Sequence, residues 1–380
     1  MKKYLLLILL SPLSILSQSF VPNAPELNLK SYILIEPNTN TVIAEFNSSD
    51  LIEPASMTKV MTGYVVSDQI KNELINLDDQ VLISEKAWKM EGSKMFIEAG
   101  KKVSILDLLK GIIIQSGNDA SVAIAEYVGG TEDGFVDLMN SYAGAMEMND
   151  TYFVNSTGLP AEGHYTSARD LAKLTAKFIS NFPDEYALYK EKQFTFNNIK
   201  QLNRNKLLWR DESSDGVKTG HTSTAGYCLI GSAKRGKMRL ITVIAGSDSD
   251  NDRFLSTQRL LEYGFRFYAT QKYFDSNKEY TSARVWGGKM DTVKLGVAQD
   301  ISITLPRTSF KDVKVDYKFK NNVQAPIEKG QEMGSLDIIS NGEVVHTSAL
   351  IALEEIEAKG FFGRLWSRFV LWIMSLFGIS

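Results

Sequence analysis

The spacing of apolar and polar residues predicts that the chain begins with a β-hairpin followed by a long helical region. Two short apolar runs, residues 33–35 and 42–44, flank a turn sequence at 37–40, which is the pattern of an antiparallel hairpin. Helical patterns dominate from residue 56 to about 180. Within that region, apolar residues at 105–114 predict a buried helix that breaks shortly before a second one begins.

Strand-like runs return between residues 217 and 245, and a helix is predicted at 253–268. Strands on both sides of a helical middle predict an α+β unit in which helices flank an antiparallel sheet. Beyond about Asp275 the pattern changes to short alternating runs, which predict a small all-β unit. These runs are residues 283–286, 301–305, 313–319 and 343–351.

The two ends of the chain differ from the rest. Lys2 and Lys3 precede an apolar stretch at 4–16, and Ser17-Gln18-Ser19 fits a small-x-small cleavage site. This pattern predicts a signal peptide and an exported protein, because the apolar stretch is shorter than the roughly 20 residues that span a bilayer. A chain of 380 residues also suggests two domains. We therefore divide it into a signal peptide (1–19), a larger domain (20–272), a small β-rich domain (273–354) and a terminal helix (355–380).

The terminal segment is apolar from 361 to 379, but Arg364 and Arg368 lie one helical turn apart within it. The charge-free part is too short to cross a hydrocarbon core of about 30 Å. Bulky aromatic residues opposite basic ones predict an amphipathic helix in the headgroup region, with its cations on anionic lipid. A transmembrane tail remains the alternative, provided that the arginines snorkel to the interface.

Composition narrows the chemistry. The formal charge is −3 and no basic stripe is present, which argues against nucleic acid as a partner. Three scattered histidines and one cysteine give no metal-site spacing, so no metal and no organic cofactor are expected. Cys228 lies in a β-rich run and is predicted to be a buried thiol.

Ser56 and Lys59 form the first of three short motifs. Residues three apart on a helix share one face, so Lys59 could take the proton of the Ser56 hydroxyl and make it a nucleophile. A lysine acts as a base only when burial or a second cation lowers its pKa, and Lys218 is the candidate second cation. Taken alone, the pattern also fits a serine that caps a helix.

Two further motifs follow, and each alone also fits an ordinary turn. Ser116-Gly117-Asn118 lies at the break between the two apolar helices, where a glycine turn could aim Ser116 and Asn118 inward. Lys218-Thr219-Gly220 precedes the strand-like runs and is predicted in an inner strand or at its edge. Lys218 and Thr219 could bind a substrate carboxylate, and Gly220 would leave room for the substrate backbone.

Together the three motifs resemble the signature S-x-x-K, S-x-N, K-T-G of penicillin-binding proteins and serine β-lactamases. The chain is most similar to low-molecular-mass D-alanyl-D-alanine carboxypeptidases of the penicillin-binding-protein-5 type, over nearly all of its length after residue 25. The supporting stretches are residues 31–35, 115–120, 165–170, 189–196, 201–209 and 218–221.

The resemblance implies a periplasmic enzyme, held on the inner membrane by its terminal helix, that removes D-Ala from peptidoglycan stem peptides ending in D-Ala-D-Ala. It implies acylation of Ser56 by the substrate or by β-lactam antibiotics, with Ser116 relaying a proton and Asn118 orienting the peptide. It adds the backbone amide of His221 to the oxyanion site, and it adds Arg204 and Arg253 as cations that line the site or bind the carboxylate.

Two other functions stay open. A serine β-lactamase would need a carboxylate that activates the deacylating water, and Glu162 is the candidate. A catalytically silent peptidoglycan-binding or cell-shape protein would have lost motif residues, but all are present. A literal Ser249-Asp250-Asn251 comes after the K-T-G motif and in a polar loop, so we interpret it as structural.

Overall fold

The computed structural model describes residues 21–376, so the predicted signal peptide at 1–19 lies outside the described residues. The first unit contains nine strands: β1 (Ser31–Glu36), β2 (Thr41–Phe46), β3 (Gln80–Leu82), β4 (Lys102–Ser104), β5 (Gln193–Phe196), β6 (Ile199–Leu202), β7 (Ser214–Thr222), β8 (Gly226–Arg235) and β9 (Met238–Ser247). Its helices are α1 (Lys59–Lys71), α2 (Glu85–Lys89), α3 (Ile105–Lys110), α4 (Asn118–Gly129), α5 (Glu132–Ala145), α6 (Ala168–Asn181), α7 (Pro183–Ala187), α8 (Leu207–Arg210) and α9 (Asp250–Phe267).

A five-stranded antiparallel sheet in the order β2-β1-β9-β8-β7 forms the centre of this unit. Successive residues of a strand point to opposite faces, and the sheet therefore has a core on each side. Ile33 and Ile35 of β1 join the core under the helical region, whereas Leu34 joins the core under α9. The predicted hairpin and the flanked antiparallel sheet are confirmed.

The helical region packs around α1, whose residues from Lys59 to Ser67 are all buried. The predicted pair of apolar helices is present as α3 and α4. A single π-helical turn, Gly111–Gln115, extends α3 up to Ser116. Such turns are rare and often occur at functional sites. Here the π turn sets the direction from which the second motif enters the site.

The second unit is all-β, as predicted. Its strands are β10 (Tyr268–Phe274), β11 (Thr281–Arg284), β12 (Thr292–Gly296), β13 (Ile301–Pro306), β14 (Lys314–Phe319), β15 (Glu332–Ser340) and β16 (Glu343–Ala352). Five of them form an antiparallel sheet in the order β11-β12-β16-β15-β14, and β10 pairs with β13. The predicted division after residue 272 falls inside β10, which begins directly after α9 and pairs with a strand of the second unit.

The terminal helix, α10, spans Phe361–Leu376. The predicted start at 355 is wrong, because residues 355–358 still belong to the β-rich unit: Ile356 is buried and bridges to Ile327. No helix within residues 21–376 has both the length and the apolar character needed to cross a membrane.

The two faces of α10 have opposite surroundings. Arg364 and Arg368 line a cavity of about 210 Å³ against Trp286 and Pro326 of the β-rich unit. The large apolar side chains are exposed instead; they are Phe361, Phe362, Leu365, Trp366, Phe369 and Trp372. An ordinary surface helix buries its apolar stripe on its own domain. In this helix the large apolar side chains are exposed, and Arg364 and Arg368, although exposed themselves, are the side chains that border the β-rich unit. The aromatic face is therefore left for another apolar environment.

Candidate active site

Ser56 lies on a 3₁₀ turn, Ala55–Thr58, that leads directly into α1. The predicted continuous α-helix from Ser56 is therefore a tighter turn followed by an α-helix that begins at Lys59. Ser56 is partly exposed, whereas its neighbours in the turn are buried. The turn thus presents one hydroxyl to solvent at the edge of the core.

Lys59 is fully buried, and its ammonium group is held by three neutral oxygen atoms. Its Nζ lies 3.4 Å from Ser56 Oγ, 2.7 Å from Asn118 Oδ1 and 2.5 Å from the carbonyl oxygen of Thr157. The predicted approach of Lys59 to Ser56 is present. These contacts aim the amine at the hydroxyl proton without supplying a counter-charge.

Burial, and then the nearby charge of Arg204, lower the pKa of Lys59 to about 7, whereas the charge of Asp119 acts in the opposite direction. Burial was the predicted cause. The predicted repulsion between Lys59 and Lys218 is present, since the charge of Lys59 disfavours the charged form of Lys218, and Arg204 is a further cation that we did not predict for this role. A lysine with this pKa is largely neutral slightly above pH 7, which is the state that a general base requires.

The turn of the second motif forms at Ser116 rather than at the predicted glycine. Ser116 follows the π turn in the left-handed conformation, with φ of 65°, whereas Gly117 has φ of −59°. A non-glycine residue in this region carries a modest strain, of the order of 1 kcal/mol. The turn directs the Ser116 hydroxyl, which is almost fully buried, at the Nζ of Lys218, 2.9 Å away.

Asn118, the first residue of α4, connects Lys59 to the loop on the other side of the site. Its amide nitrogen donates to the Glu91 carbonyl at 2.7 Å, and its backbone N–H donates to the Ser93 carbonyl at 2.7 Å. Next to it, the buried carboxylate of Asp119 accepts the amides of Met95, Phe96 and Ile97. The second motif therefore fixes both the lysine and the 91–97 loop that borders it.

The third motif lies in β7, which is the edge strand of the central sheet. Lys218 and Thr219 are both buried, and the Lys218 Nζ contacts Ser116 Oγ and the carbonyl of Thr219. Burial, and then the charges of Lys59, Arg204 and Arg253, hold the pKa of Lys218 well below its usual value. The edge of β7 remains unpaired on the side of the site, so an extended peptide could align along it.

Gly220 was predicted to leave room for the substrate backbone, and in the structure it allows close packing within the site. A Cβ added there would lie 3.1 Å from the Pro54 carbonyl oxygen and 3.3 Å from the Ala55 Cβ. These atoms belong to the segment that carries Ser56. A glycine at this position therefore lets the edge strand approach the nucleophile turn closely, and any larger residue would push the two apart.

The three remaining predicted residues surround this core. Arg204 is exposed and donates through Nε to the carbonyl of Gln115 at 2.9 Å. Arg253 is buried; it donates to the carbonyl of Gly220 at 3.1 Å and forms an ion pair with Asp250. The exposed His221 ring packs against Tyr227, with 4.1 Å between ring centroids. Arg253 thus stabilises the backbone of the third motif through its hydrogen bond to Gly220.

Sequence analysis did not identify the loop at residues 155–158, which borders the site next to Lys59. Asn155 accepts hydrogen bonds from the amides of Thr157 and Gly158 and thereby turns the Thr157 carbonyl toward Lys59. Gly158 has φ of 82°, and a Cβ there would lie 1.8 Å from the Ala55 carbonyl oxygen. The run Asn-Ser-Thr-Gly is a recognisable turn signal. Nothing in it indicated contact with a lysine about a hundred residues earlier.

His164 is a second residue that sequence reasoning passed over. It is buried behind the nucleophile turn, where Nε2 lies 3.0 Å from Thr58 Oγ1, and its Nδ1 has no partner among the described residues. Burial lowers its pKa to about 4, although the charge of Glu53 acts in the opposite direction. A neutral ring therefore supports the turn that carries Ser56.

Two other features noted in the sequence are Glu162, the candidate carboxylate of a β-lactamase, and the literal sequence Ser249-Asp250-Asn251. Glu162 is exposed and lines an outer cavity with Glu53 and His164 rather than contacting Lys59. Ser249 caps α9, accepting the amide of Asp252 at 3.1 Å, so the literal S-D-N is structural as interpreted. Cys228 is buried, as predicted. In the part of the chain that the structure describes, His, Cys, Asp and Glu side chains form no group of three that could hold a metal ion.

Together these contacts indicate which reaction the site can catalyse. A hydroxyl lies beside a lysine that is neutral near pH 7, and a second hydroxyl lies beside a second buried lysine. An open strand edge borders both. Such a set can activate Ser56 for attack on a carbonyl and return a proton to a leaving group through Ser116. The site is therefore built for acyl transfer through a serine ester.

We predict that His164 makes the folded state sensitive to acid. Its pKa of about 4 lies below the usual 6.5, so the unfolded chain binds more protons between these values and stability falls as the pH falls from 6.5 to 4. The full difference corresponds to roughly 3 kcal/mol. Denaturant unfolding of His164→Gln across this pH range should show a flatter profile by about this amount. His346→Gln, in the second unit, is the matched control, and equal profiles for both variants would contradict the prediction.

Comparison with known proteins agrees with the geometry. A family model described as D-alanyl-D-alanine carboxypeptidase matches residues 18–249, and the model of the penicillin-binding protein 5 C-terminal domain matches 268–358. D-alanyl-D-alanine carboxypeptidase DacC of Escherichia coli K12 is 40% identical over 380 residues, covering 98% of this chain and 95% of the relative. DacA of the same organism is 41% identical over 356 residues, covering 92% and 88%.

Among solved structures, penicillin-binding protein 5 from Haemophilus influenzae superposes with a TM-score of 0.85 at 38% identity. The match covers 88% of this chain and 99% of that structure. The resemblance found in the motifs therefore extends through both units of the fold. This chain belongs to the D-alanyl-D-alanine carboxypeptidase family.

Proposed function

We propose that this protein is a serine D,D-carboxypeptidase that removes the terminal D-Ala from peptidoglycan stem peptides ending in D-Ala-D-Ala. The observation that carries the proposal is the contact of Ser56 Oγ with a buried Lys59 whose pKa is lowered to about 7. Family membership supplies the substrate class, since the related enzymes are named for it. Penicillins would acylate the same serine.

In the first step, Ser56 Oγ attacks the carbonyl of the penultimate D-Ala while the neutral amine of Lys59 accepts the hydroxyl proton. The Nζ–Oγ distance of 3.4 Å is long for a hydrogen bond, which is common before substrate tightens such contacts. The oxyanion would lie between the backbone amides of Ser56 and His221. His221 is in the edge strand β7, where alternate amides point away from β8.

Departure of D-Ala requires a proton on its amine. Ser116 is the nearest candidate donor, because its hydroxyl is held by Lys218 at 2.9 Å and its orientation is fixed by the left-handed turn. Asn118 would orient the peptide while it holds Lys59. The proton that Lys59 took from Ser56 would pass through Ser116 to the departing amine, which leaves Lys59 neutral and Ser116 unchanged. Water would then attack the Ser56 ester while Lys59 accepts the proton of the water and returns it to Ser56 Oγ as the shortened peptide leaves.

The terminal carboxylate of the substrate would meet Lys218 and Thr219, with Arg253 behind them. Arg253 donates to the Gly220 carbonyl and pairs with Asp250, so it contributes positive potential through a fixed position. Arg204 adds a second positive charge from the other side of the site. Arginine and lysine at these places favour a peptide with a free C-terminal carboxylate.

Two observations favour this function over a β-lactamase. The groups that contact Lys59 include no carboxylate among the described residues, and Glu162 is exposed in an outer loop. Without a carboxylate beside the ester, the deacylating water lacks the partner that a β-lactamase needs. The intact set of contacts around Ser56 also favours an active enzyme over a silent binding protein.

We further propose that the protein is exported and lies on the periplasmic face of the inner membrane, attached through α10. The exposed aromatic face of this helix supports insertion into the headgroup region. In this arrangement Arg364 and Arg368 would lie between the β-rich unit and the membrane surface, where they could reach anionic lipid. The helix would hold the catalytic unit away from the membrane by the length of the second unit.

The nucleophile can be tested by mass. Ser56→Ala should release no D-Ala from a D-Ala-D-Ala peptide and should gain no penicillin adduct in an intact-mass measurement, because no other group can form the ester. Ser249→Ala is the matched control; loss of its helix cap costs about 1 kcal/mol, but labelling should persist. A full adduct on Ser56→Ala would exclude Ser56 as the nucleophile. A penicillin turned over rapidly by the unaltered protein would favour the β-lactamase.

The base can be tested by the pH dependence of penicillin acylation. Because the pKa of Lys59 is about 7, the second-order rate should rise with pH through about 7 and then level off. Arg204→Gln removes a positive charge that disfavours protonated Lys59, so the midpoint should move to higher pH. Lys59→Ala should slow acylation by about 10²–10⁴. A midpoint that stays fixed in Arg204→Gln would show that Lys59 does not set the profile.

The anchor can be tested by truncation. Deletion of residues 360–380 removes α10 but keeps the bridge of Ile356, so the enzyme should fold, retain activity on small peptides and no longer float with anionic vesicles. The longer predicted anchor, from 355, would cut into the β-rich unit. High salt alone should release only part of the full chain, since the aromatic face also binds. A tag after Ser380 that proves cytoplasmic would instead indicate a membrane span.

A further inference from the structure

A broad cationic groove lies on the first unit, apart from the site that contains Ser56. Its volume is about 940 Å³. One wall is formed by α6, α7 and the residues after them, and the other by the β1–β2 and β8–β9 turns. Six cations line it: Lys173, Lys177, Lys190, Lys234, Lys237 and Arg239. None of the predicted site residues is among the described residues that line this groove.

Two of the six cations are already paired. Arg239 forms an ion pair with Asp215 at 2.7 Å, and Lys173 contacts the Glu147 carbonyl at 2.7 Å and the Asp170 carboxylate at 3.4 Å. The other four lysines are exposed and have no carboxylate partner within residues 21–376; they are Lys177, Lys190, Lys234 and Lys237. The carboxylate residues of the lining are Glu147 and Asp215, so cations outnumber them in the groove although the whole chain has a formal charge of −3. Clefts of this kind raise the local concentration of anions.

The floor of the groove is fixed. Arg239 donates to Asp215 at 2.9 Å and to Ser232 at 2.6 Å, and the buried Tyr186 donates to the same Asp215 oxygen at 3.1 Å. Apolar atoms of Pro37, Ile179 and Ala187 lie between the lysines. A preformed groove that combines free cations with small apolar surfaces suits a peptide with several carboxylates and short side chains.

We propose that this groove is a second, non-catalytic binding site for the carboxylate-bearing stem peptides of a peptidoglycan strand. This rests on the proposed function, because the polymer that carries the substrate is also the polymer that the groove would hold. Stem peptides combine free carboxylates with the methyl side chains of alanine, which matches the lining. A volume of 940 Å³ accommodates a peptide of several residues. Holding one stem peptide would raise the effective concentration of its neighbours at Ser56.

The geometry favours a strand-like polymer over a lipid surface. The groove is concave and is bounded by two turns, so a flat layer of headgroups could not reach its floor. The β1–β2 turn at its rim also contacts the second unit, since the Thr39 hydroxyl donates to Thr304 Oγ1 at 2.8 Å. This contact joins the rim of the groove to the second unit, whereas the exposed aromatic face that suits a membrane is on α10.

The test compares two charge-matched variants of the full chain. Lys234→Gln/Lys237→Gln removes two cations beside the β8–β9 turn, and Lys101→Gln/Lys102→Gln removes two exposed lysines elsewhere in the same unit. Binding to purified, lipid-free sacculi is measured by co-sedimentation at low and moderate salt. The groove variant should bind about three- to tenfold more weakly, which is the range expected for two solvent-exposed ion pairs. Its salt dependence should also be shallower, and Lys234→Arg/Lys237→Arg should restore binding.

The second readout separates the groove from the catalytic site. Penicillin acylation and D-Ala release from a short soluble peptide should stay within about twofold in the groove variant, whereas D-Ala release from sacculi should fall in parallel with binding. Equal sacculus binding by the two Gln variants would overturn the proposal. Loss of binding only to phosphatidylglycerol vesicles would overturn it in favour of a lipid site. If the unaltered protein released no D-Ala from the short peptide, the proposed function would fail, while the binding comparison would still decide the groove.

Discussion

Two buried ammonium groups, those of Lys59 and Lys218, form the constraint on which the rest of the structure depends. Their contacts are neutral oxygens: hydroxyls of Ser56 and Ser116, an amide oxygen and backbone carbonyls. The nearby Asp119 directs its carboxylate to backbone amides of the 91–97 loop. Removing a lysine from water without a counter-ion disfavours its charged form. The lowered pKa values of both lysines are the direct result, and at Lys59 a lowered pKa is what a general base requires.

That constraint explains how the surrounding elements are arranged. Water must be kept from both amines while Ser56 stays accessible, so separate segments have to meet closely at one turn. Gly220 in β7 and Gly158 in the Asn155 loop allow this: a Cβ at Gly158 would collide with the Ala55 carbonyl, and one at Gly220 would make a tight contact with the Pro54 carbonyl. His164 fills the space behind the turn as a neutral ring. The closely packed backbone segments therefore shield the two lysine amines from water, and the motif side chains fill the space that these segments leave.

Much of this could be predicted from the sequence because the signals are local. Hairpins, buried helices and the S-x-x-K spacing each depend on residues that are close along the chain, and all were found. The π turn and the left-handed Ser116 were not predicted, since the backbone there is set by packing around Gly111 and Met95. β10 was missed because two consecutive polar residues, Gln271 and Lys272, are both exposed and interrupt the alternation expected of a strand, directly after the end of a helix.

Contacts between residues that are far apart in the sequence could not be predicted either. The Thr157 carbonyl reaches Lys59 across 98 positions of sequence, and no local pattern predicts such a partner. The same holds for Arg204, an additional cation that lowers the pKa of Lys59. The cationic groove also escaped notice, because its lysines come from α6, the residues after α7 and the β8–β9 turn, and they converge only in the folded chain. Net charge alone suggested no cationic surface.

The state of Lys218 connects the free protein to the proposed reaction. In the free protein, burial and three neighbouring cations disfavour its charged form, so it is not a permanent clamp of the kind that the motif suggests. A substrate carboxylate that arrives beside Lys218 and Thr219 reverses the balance, because an opposite charge in contact favours the ammonium. In the proposed reaction, substrate binding and proton uptake would then be coupled. The charge regained by Lys218 would offset the influence of the carboxylate on Lys59, so that Lys59 would stay neutral and able to act as the base.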